Sequence, residues 1–135
     1  MRVLGIDFGG VRIGIALGES EAGIASPRKA IKASGTLRKD AVAIQQIYLK
    51  EEAQVIALGI PLSGNGEVSK MANVCNQLGN ELEKLGLPVK LIDESLTSLS
   101  AQEALRQNNW TAATIRNHID SEAACKIIER YFESQ

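Results

Sequence analysis

Three acidic positions stand where chemistry could be done. Asp7 ends an apolar run in the stretch RVLGIDFGGVRIGIAL, residues 2–17, and Phe8-Gly9-Gly10 follow it directly. Asp93 and Glu94 close a second apolar run, VKLI, at residues 89–92. Asp120 heads a helical stripe with Ala124, Ile127 and Tyr131, spaced i, i+4, i+7 and i+11. Glu122, Lys126, Glu129 and Glu133 form the opposite stripe, an ordinary solvated face. An acid on a core-facing stripe is costly unless it is paired, hydrogen-bonded or metal-bound. Asp120 therefore reads in two ways, as a helix cap or as a site residue. Asp7 has three readings: a phosphate-cradling turn, a metal-binding acid, or a polar hairpin corner.

Held a few ångströms apart, such carboxylates repel by about 4 kcal/mol per pair at ~4 Å and an effective dielectric of ~20. Divalent cations remove that repulsion. Hard Mg²⁺ or Mn²⁺ suits oxygen donors. Two such ions about 4 Å apart can activate a water and stabilise the leaving oxygen of a phosphodiester.

The elements that must position these acids follow from periodicity. Residues 2–8 and 11–17 read as strands joined at Gly9-Gly10, a hairpin signal. Residues 24–31 read as a third strand, weakened by Pro27. A helix is expected over 37–53, a buried strand in QVIALGIPL, and a loop at SGNGE. Helical period returns over 68–85, with Gly86 as its stop. PVKLIDE reads as another strand, 99–108 as a short helix and 119–132 as the final helix. Strands first, then β-α alternation, imply a mixed α/β sheet that is antiparallel at the leading hairpin and parallel afterwards. Ligands of such sheets gather outside the carboxyl ends of the strands, where Asp7 and Glu94 stand.

Composition narrows the class. The chain has 135 residues, 44% hydrophobic and 23% charged, which suits one compact globular domain over 1–135. No apolar run nears the roughly 20 residues of a membrane helix, and no signal peptide is evident at the N-terminus. A cytoplasmic location is expected. Cys75 and Cys125 are too few and too far apart for a disulfide framework or a C-x-x-C site, and read as buried thiols. A net charge of -1 excludes attraction to nucleic acid through bulk charge. Local patches or metal ions must supply it.

The chain resembles the YqgF family, also called RuvX, in four segments taken in order. GIDFGGVRIGIAL is similar to that family's opening Asp-x-Gly-x-Lys-Arg-x-Gly-x-Ala pattern, and VIALGIPLSGNGE to its Val-Gly-Leu-Pro-Leu segment. LIDESLTSLSAQEAL resembles its Asp-Glu-Arg-Leu-Thr-Thr motif, and IDSEAACKIIERYFES its closing helix. The resemblance implies an RNase H-like fold with a five-stranded sheet whose first three strands are antiparallel. It implies a metal-dependent nuclease that finishes the 5′ end of pre-16S ribosomal RNA. The family's acidic triad falls on Asp7, Glu94 and Asp120, as holders of Mg²⁺ or Mn²⁺, and Arg12 keeps a basic position for the substrate phosphate. Val11 stands where the family usually has Lys, and Ser95 where it has Arg. Each absent cation removes a phosphate contact of the kind that supplies sequence-independent affinity. Two other classes stay open: a non-catalytic nucleic-acid-binding module of the same fold, and a Holliday junction resolvase acting on DNA.

The remaining candidates are plainer. His118 could shuttle a proton but reads as a solvent-facing residue at the helix entry. Trp110 could stack a base, yet more simply closes the core between the last helices. Arg28, Lys29 and Lys32 form a modest basic patch, and Lys70 follows the glycine loop. An Asp-Phe-Gly kinase signature would need far more chain. A two-domain ATPase of the actin and sugar-kinase type would need a second such domain.

Overall fold

A computed structural model describes the chain over residues 1–61, 70–93 and 112–135, with side chains in the last stretch described from Ser121. Its elements are β1 (Arg2–Phe8), β2 (Arg12–Glu19), β3 (Ile24–Lys32), α1 (Leu37–Lys50), β4 (Val55–Ile60), α2 (Lys70–Lys84), β5 (Val89–Asp93) and α3 (Ala112–Glu133). The sheet is five-stranded in the order β3-β2-β1-β4-β5. β1, β2 and β3 are antiparallel neighbours, whereas β4 and β5 join in parallel. This is the mixed sheet that the strand pattern and the family resemblance lead one to expect. The SGNGE loop, Glu94, Ser95, Trp110 and the helix expected over 99–108 lie outside the described residues.

Strand alternation splits the core into two layers. Leu4, Ile6 and Phe8 of β1 join Ile13, Ile15 and Leu17 of β2 in one layer, capped by Ala41 and Ile44 of α1 and by Cys75, Leu78 and Leu82 of α2. Val3 of β1 and Ala16 of β2 face the other way, against Ala124, Cys125, Ile127, Ile128 and Tyr131 of α3. β4 is buried throughout, as its unbroken apolar run requires. β1 and β5 flank it.

Helix ends obey local backbone chemistry. α1 stops at Lys50, short of residue 53, because Glu52 adopts the left-handed conformation at φ 56°. The Ala53 and Glu52 N–H groups donate back to the Tyr48 and Leu49 carbonyls, a Schellman closure. α2 ends the same way at Gly86, as the sequence indicates. Leu87 and Gly86 donate to Leu82 and Glu83, and Gly86 carries φ 86°. At the start of α1, the nearly buried Asp40 carboxylate accepts the Ser34 N–H at 2.8 Å. The largest difference is in α3, which begins at Ala112, one to two turns before the start expected at 119.

Candidate active site

Asp7 lies on β1 directly across from Gly14 of β2. It is half-buried and has partners of its own within the chain. Alternation puts it on the α3 side of the sheet together with Val3 and Gly5. Its neighbours on that side are glycines. Gly5 precedes it by two, Gly9 follows by two and Gly14 stands opposite. On β4, Gly59 comes one step after Leu58, the partner of Ile6, and shares this face. These four positions, none of which carries a β-carbon, form a glycine floor on the face of Asp7, and α3 covers its Gly5 end.

The glycines also set how near α3 comes. A β-carbon on Gly5 would lie 2.7 Å from the Ala124 carbonyl oxygen and 2.6 Å from Ile128 Cγ1. One on Gly18 would lie 2.5 Å from Ile128 Cγ2. Only glycine lets the helix settle at this distance. α3 runs antiparallel to β1: the Tyr131 hydroxyl reaches Met1 Sδ at 3.9 Å, whereas Ala124 sits over Gly5. Ser121 donates to the Arg28 carbonyl on β3, whose strand partner Ile15 is level with Ile6. Four residues back along a helix is about 6 Å, and two residues onward along a strand about 6.6 Å. The packing register thus carries from Ala124 over Gly5 to the backbone of Asp120 at the level of Asp7.

Asp120 is also well inside α3, more than two turns after Ala112. It therefore cannot serve as the N-terminal cap of this helix. The cap reading of the sequence falls, and His118 is likewise inside the helix rather than at its entry. The stripe behind Asp120 is as its spacing indicates, with Ala124, Ile127 and Tyr131 buried. Opposite them, Lys126 and Glu129 pair at 3.5 Å on the solvated face.

Of the two acids after VKLI, Asp93 stands on the α1–α2 side of the sheet. It pairs with Ile60, which belongs to the layer under α1 and α2, and it is exposed there. Ile92, one residue earlier, packs into the α3 layer. Glu94 follows Ile92 by two in the sequence and lies outside the described residues. Among the described residues, no group of three or more His, Cys, Asp or Glu could hold a metal ion.

Arg12 opens β2 beside Asp7. The Gly9 N–H donates to its carbonyl at 2.9 Å, leaving Gly10 and Val11 as a two-residue turn. Gly10 takes φ 88° at the first turn position, as a type II′ hairpin requires. Val11 is 70% exposed at the tip. Lys70 is exposed at the start of α2, whose next residue, Met71, approaches Gly10. Both cysteines are buried, as read from the sequence, and burial pushes the Cys125 thiol up to about 12, so it is no nucleophile at neutral pH. No described helix is long and apolar enough to cross a membrane.

The glycine floor is what reading the acids alone missed. Part of its signal is in the sequence, as glycines two residues on either side of Asp7, but the place of Gly14 opposite Asp7 needs the β1–β2 register.

Residues 1–134 match the RuvX family, described as Holliday junction resolvase. The chain belongs to the RuvX family. A Methylobacillus flagellatus protein named "Putative pre-16S rRNA nuclease" is 34% identical to this RuvX chain, covering 97% of it and 90% of the relative. A Colwellia psychrerythraea protein of the same name is 35% identical, over 98% and 90%. In fold, this RuvX chain is similar to Thermus thermophilus RuvC solved in complex with a Holliday junction substrate. The TM-score is 0.57 at 14% identity, over 97% of this chain and 94% of that one. The RNase H-like architecture is thereby shared. A Streptococcus pneumoniae ROK family protein in complex with sucrose matches at TM-score 0.53 and 21% identity, over 81% of this chain but 39% of that one. The RuvX match makes this chain a member of a nuclease family.

Proposed function

We propose that this RuvX chain is a metal-dependent endonuclease that matures the 5′ end of pre-16S rRNA, with Asp7, Glu94 and Asp120 holding one or two Mg²⁺ or Mn²⁺ ions. The observation that carries the reading is the Asp7 carboxylate at the end of β1 among glycines, with the backbone of Asp120 at its level in the middle of α3. The names of the relatives support the substrate.

The donor chemistry fits the ions. Carboxylate oxygens are hard ligands, the kind that Mg²⁺ and Mn²⁺ take. When bound, such ions supply an activated water and stabilise the leaving oxygen. The chain's own residues do the rest. Asp7 contributes a carboxylate from a central strand, and its backbone is held by its ladder pairing with Gly14 of β2. Gly5 and Gly18 admit α3, the helix that carries Asp120, close to the sheet. Arg12, two residues from Gly14 on the same face, neutralises and orients the phosphate.

The test is cleavage of a precursor 16S rRNA fragment with Mn²⁺, comparing the parent with Asp7→Asn. Loss of cleavage in the variant supports the assignment, and equal cleavage by both proteins sinks it. The family description favours a second substrate, the DNA four-way junction. A junction cut faster than the RNA under the same conditions would replace the first reading.

A further inference from the structure

We propose that Lys32 is a second phosphate-gripping cation of this site, acting with Arg12 across the β2–β3 ladder and supplying the contact that Val11 cannot. The proposal rests on the nuclease reading above and names how the same site holds its polyanion.

Lys32 is the direct strand partner of Arg12. Just beyond them, the Ala33 N–H donates to the Val11 carbonyl at 2.9 Å. On the other side of β2, the Arg12 carbonyl is taken by Gly9. Arg12 and Lys32 are therefore a non-hydrogen-bonded pair, the closer kind, with α-carbons about 4.5 Å apart. Partners in such a pair share one face of the sheet. Arg12 has the parity of Gly14, Ala16 and Gly18, which face Asp7 and α3. Lys32 stands on that face too.

A β-bulge puts it there. Ile13 pairs with Ile31, but Ile15 pairs with Arg28, so β3 spends three steps where β2 spends two. The extra residue inverts the alternation of β3 between Arg28 and Lys32. Arg28 pairs with Ile15 of the α1–α2 layer, and Lys32 with Arg12 of the Asp7 face. The three cations that look like one patch in the sequence are thus divided: Arg28 is opposite Ile15, Lys29 lies in the bulge opposite Gly14, and Lys32 is the direct partner of Arg12.

Like charges directly opposite in a sheet are unfavourable by themselves. A polyanion reverses the sign of that term. Lys32 is exposed, and no ion pair to it is formed among the described residues. The hairpin tip offers only the apolar Val11. With a net charge of -1, the chain gains its hold on RNA from local pairs such as this one.

The experiment measures binding of a fluorescein-labelled precursor 16S rRNA fragment across a salt series, in the non-cleaving Asp7→Asn background. Lys32→Gln should weaken binding several-fold and lower the slope of log K against log salt by about 1. Lys32→Arg should restore the slope. Lys50→Gln, at the end of α1 and near Arg2 at the far end of β1, should leave it unchanged. Arg12→Gln with Lys32→Gln should cost less than the sum of the two, because both grip one segment of backbone. Thermal unfolding of Lys32→Gln should match or exceed the parent, since a like-charge neighbour has gone. An unchanged salt slope in Lys32→Gln overturns the proposal even if Asp7→Asn abolishes cleavage. Full cleavage by Asp7→Asn overturns the metal-site reading instead, and leaves the slope to judge Lys32. Absence of salt-dependent RNA binding overturns both.

Discussion

The carbonyl oxygen of Ala124 lies 2.7 Å from where a β-carbon of Gly5 would stand. That contact joins the helix carrying Asp120 to the strand carrying Asp7. A glycine two residues before the acid therefore does positioning work at a distance from any substrate.

Gly5→Ala should accordingly destabilise the protein by about 1–3 kcal/mol, the usual cost of overpacking. Ile128 can yield by a rotamer change, but the Ala124 carbonyl is backbone and cannot. Chemical denaturation checks the stability. Cleavage of precursor RNA by the folded fraction should fall as well, because α3 must lift away from Asp7.

Removing a carboxylate should act on chemistry with little effect on folding. Asp7→Asn and Asp120→Asn are each expected to lower Mn²⁺-dependent cleavage on the order of 10³-fold, corresponding to several kcal/mol of metal-borne stabilisation. Circular dichroism should show both folded. Asp93→Asn should cleave at the parental rate, since Asp93 pairs with Ile60 on the far face. A large loss in Asp93→Asn would mean that the choice between Asp93 and Glu94 is wrong.

Gly10 holds φ 88° at the hairpin tip, and a β-carbon there would meet Met71 Cε at 3.3 Å. Gly10→Ala should cost about 1–3 kcal/mol through backbone strain in this region. The tip also carries Arg12, so the variant should bind RNA more weakly than its loss of stability explains. Anisotropy measured well below the unfolding temperature separates the two effects.

Burial holds the Cys125 thiol protonated, with its pKa pushed up to about 12. A group that binds its proton more tightly when folded stabilises the fold below its unfolded pKa, about 8.5. That contribution is lost as pH rises from there toward 12. Stability measured between pH 7 and 11 should therefore fall, and Cys125→Ala should flatten the fall. Cys75 is fully buried as well, so thiol reagents at neutral pH should label neither cysteine until the protein unfolds.

Much of this was legible in the residues. Apolar runs and the Gly9-Gly10 hairpin signal located β1, β2 and β4, and helical spacing placed Ala124, Ile127 and Tyr131 on one buried stripe behind Asp120. Gly86 announced the end of α2 because the left-handed conformation belongs to glycine. Glu52 took that conformation without being glycine, so the end of α1 was not legible. The apolar stripe also starts too late to show where α3 begins. Residues 112–118 are helical without extending that stripe, and their inclusion changes Asp120 from a cap into a mid-helix acid.

Which residues can do chemistry, and which local periods carry them, is written in the chain itself, because side-chain type and a two- or 3.6-residue repeat are properties of neighbouring residues. Tertiary structure decided who meets whom. Gly9 and Gly14 close around Asp7 only through the β1–β2 register, and Gly59 only once β4 inserts beside β1. Lys32 reaches the Asp7 face only through a bulge, one extra residue that no repeat in β3 reveals. Such juxtapositions arise from pairing between segments far apart in the chain. Their geometry is set by the strand ladder and by how closely a helix can pack on glycine.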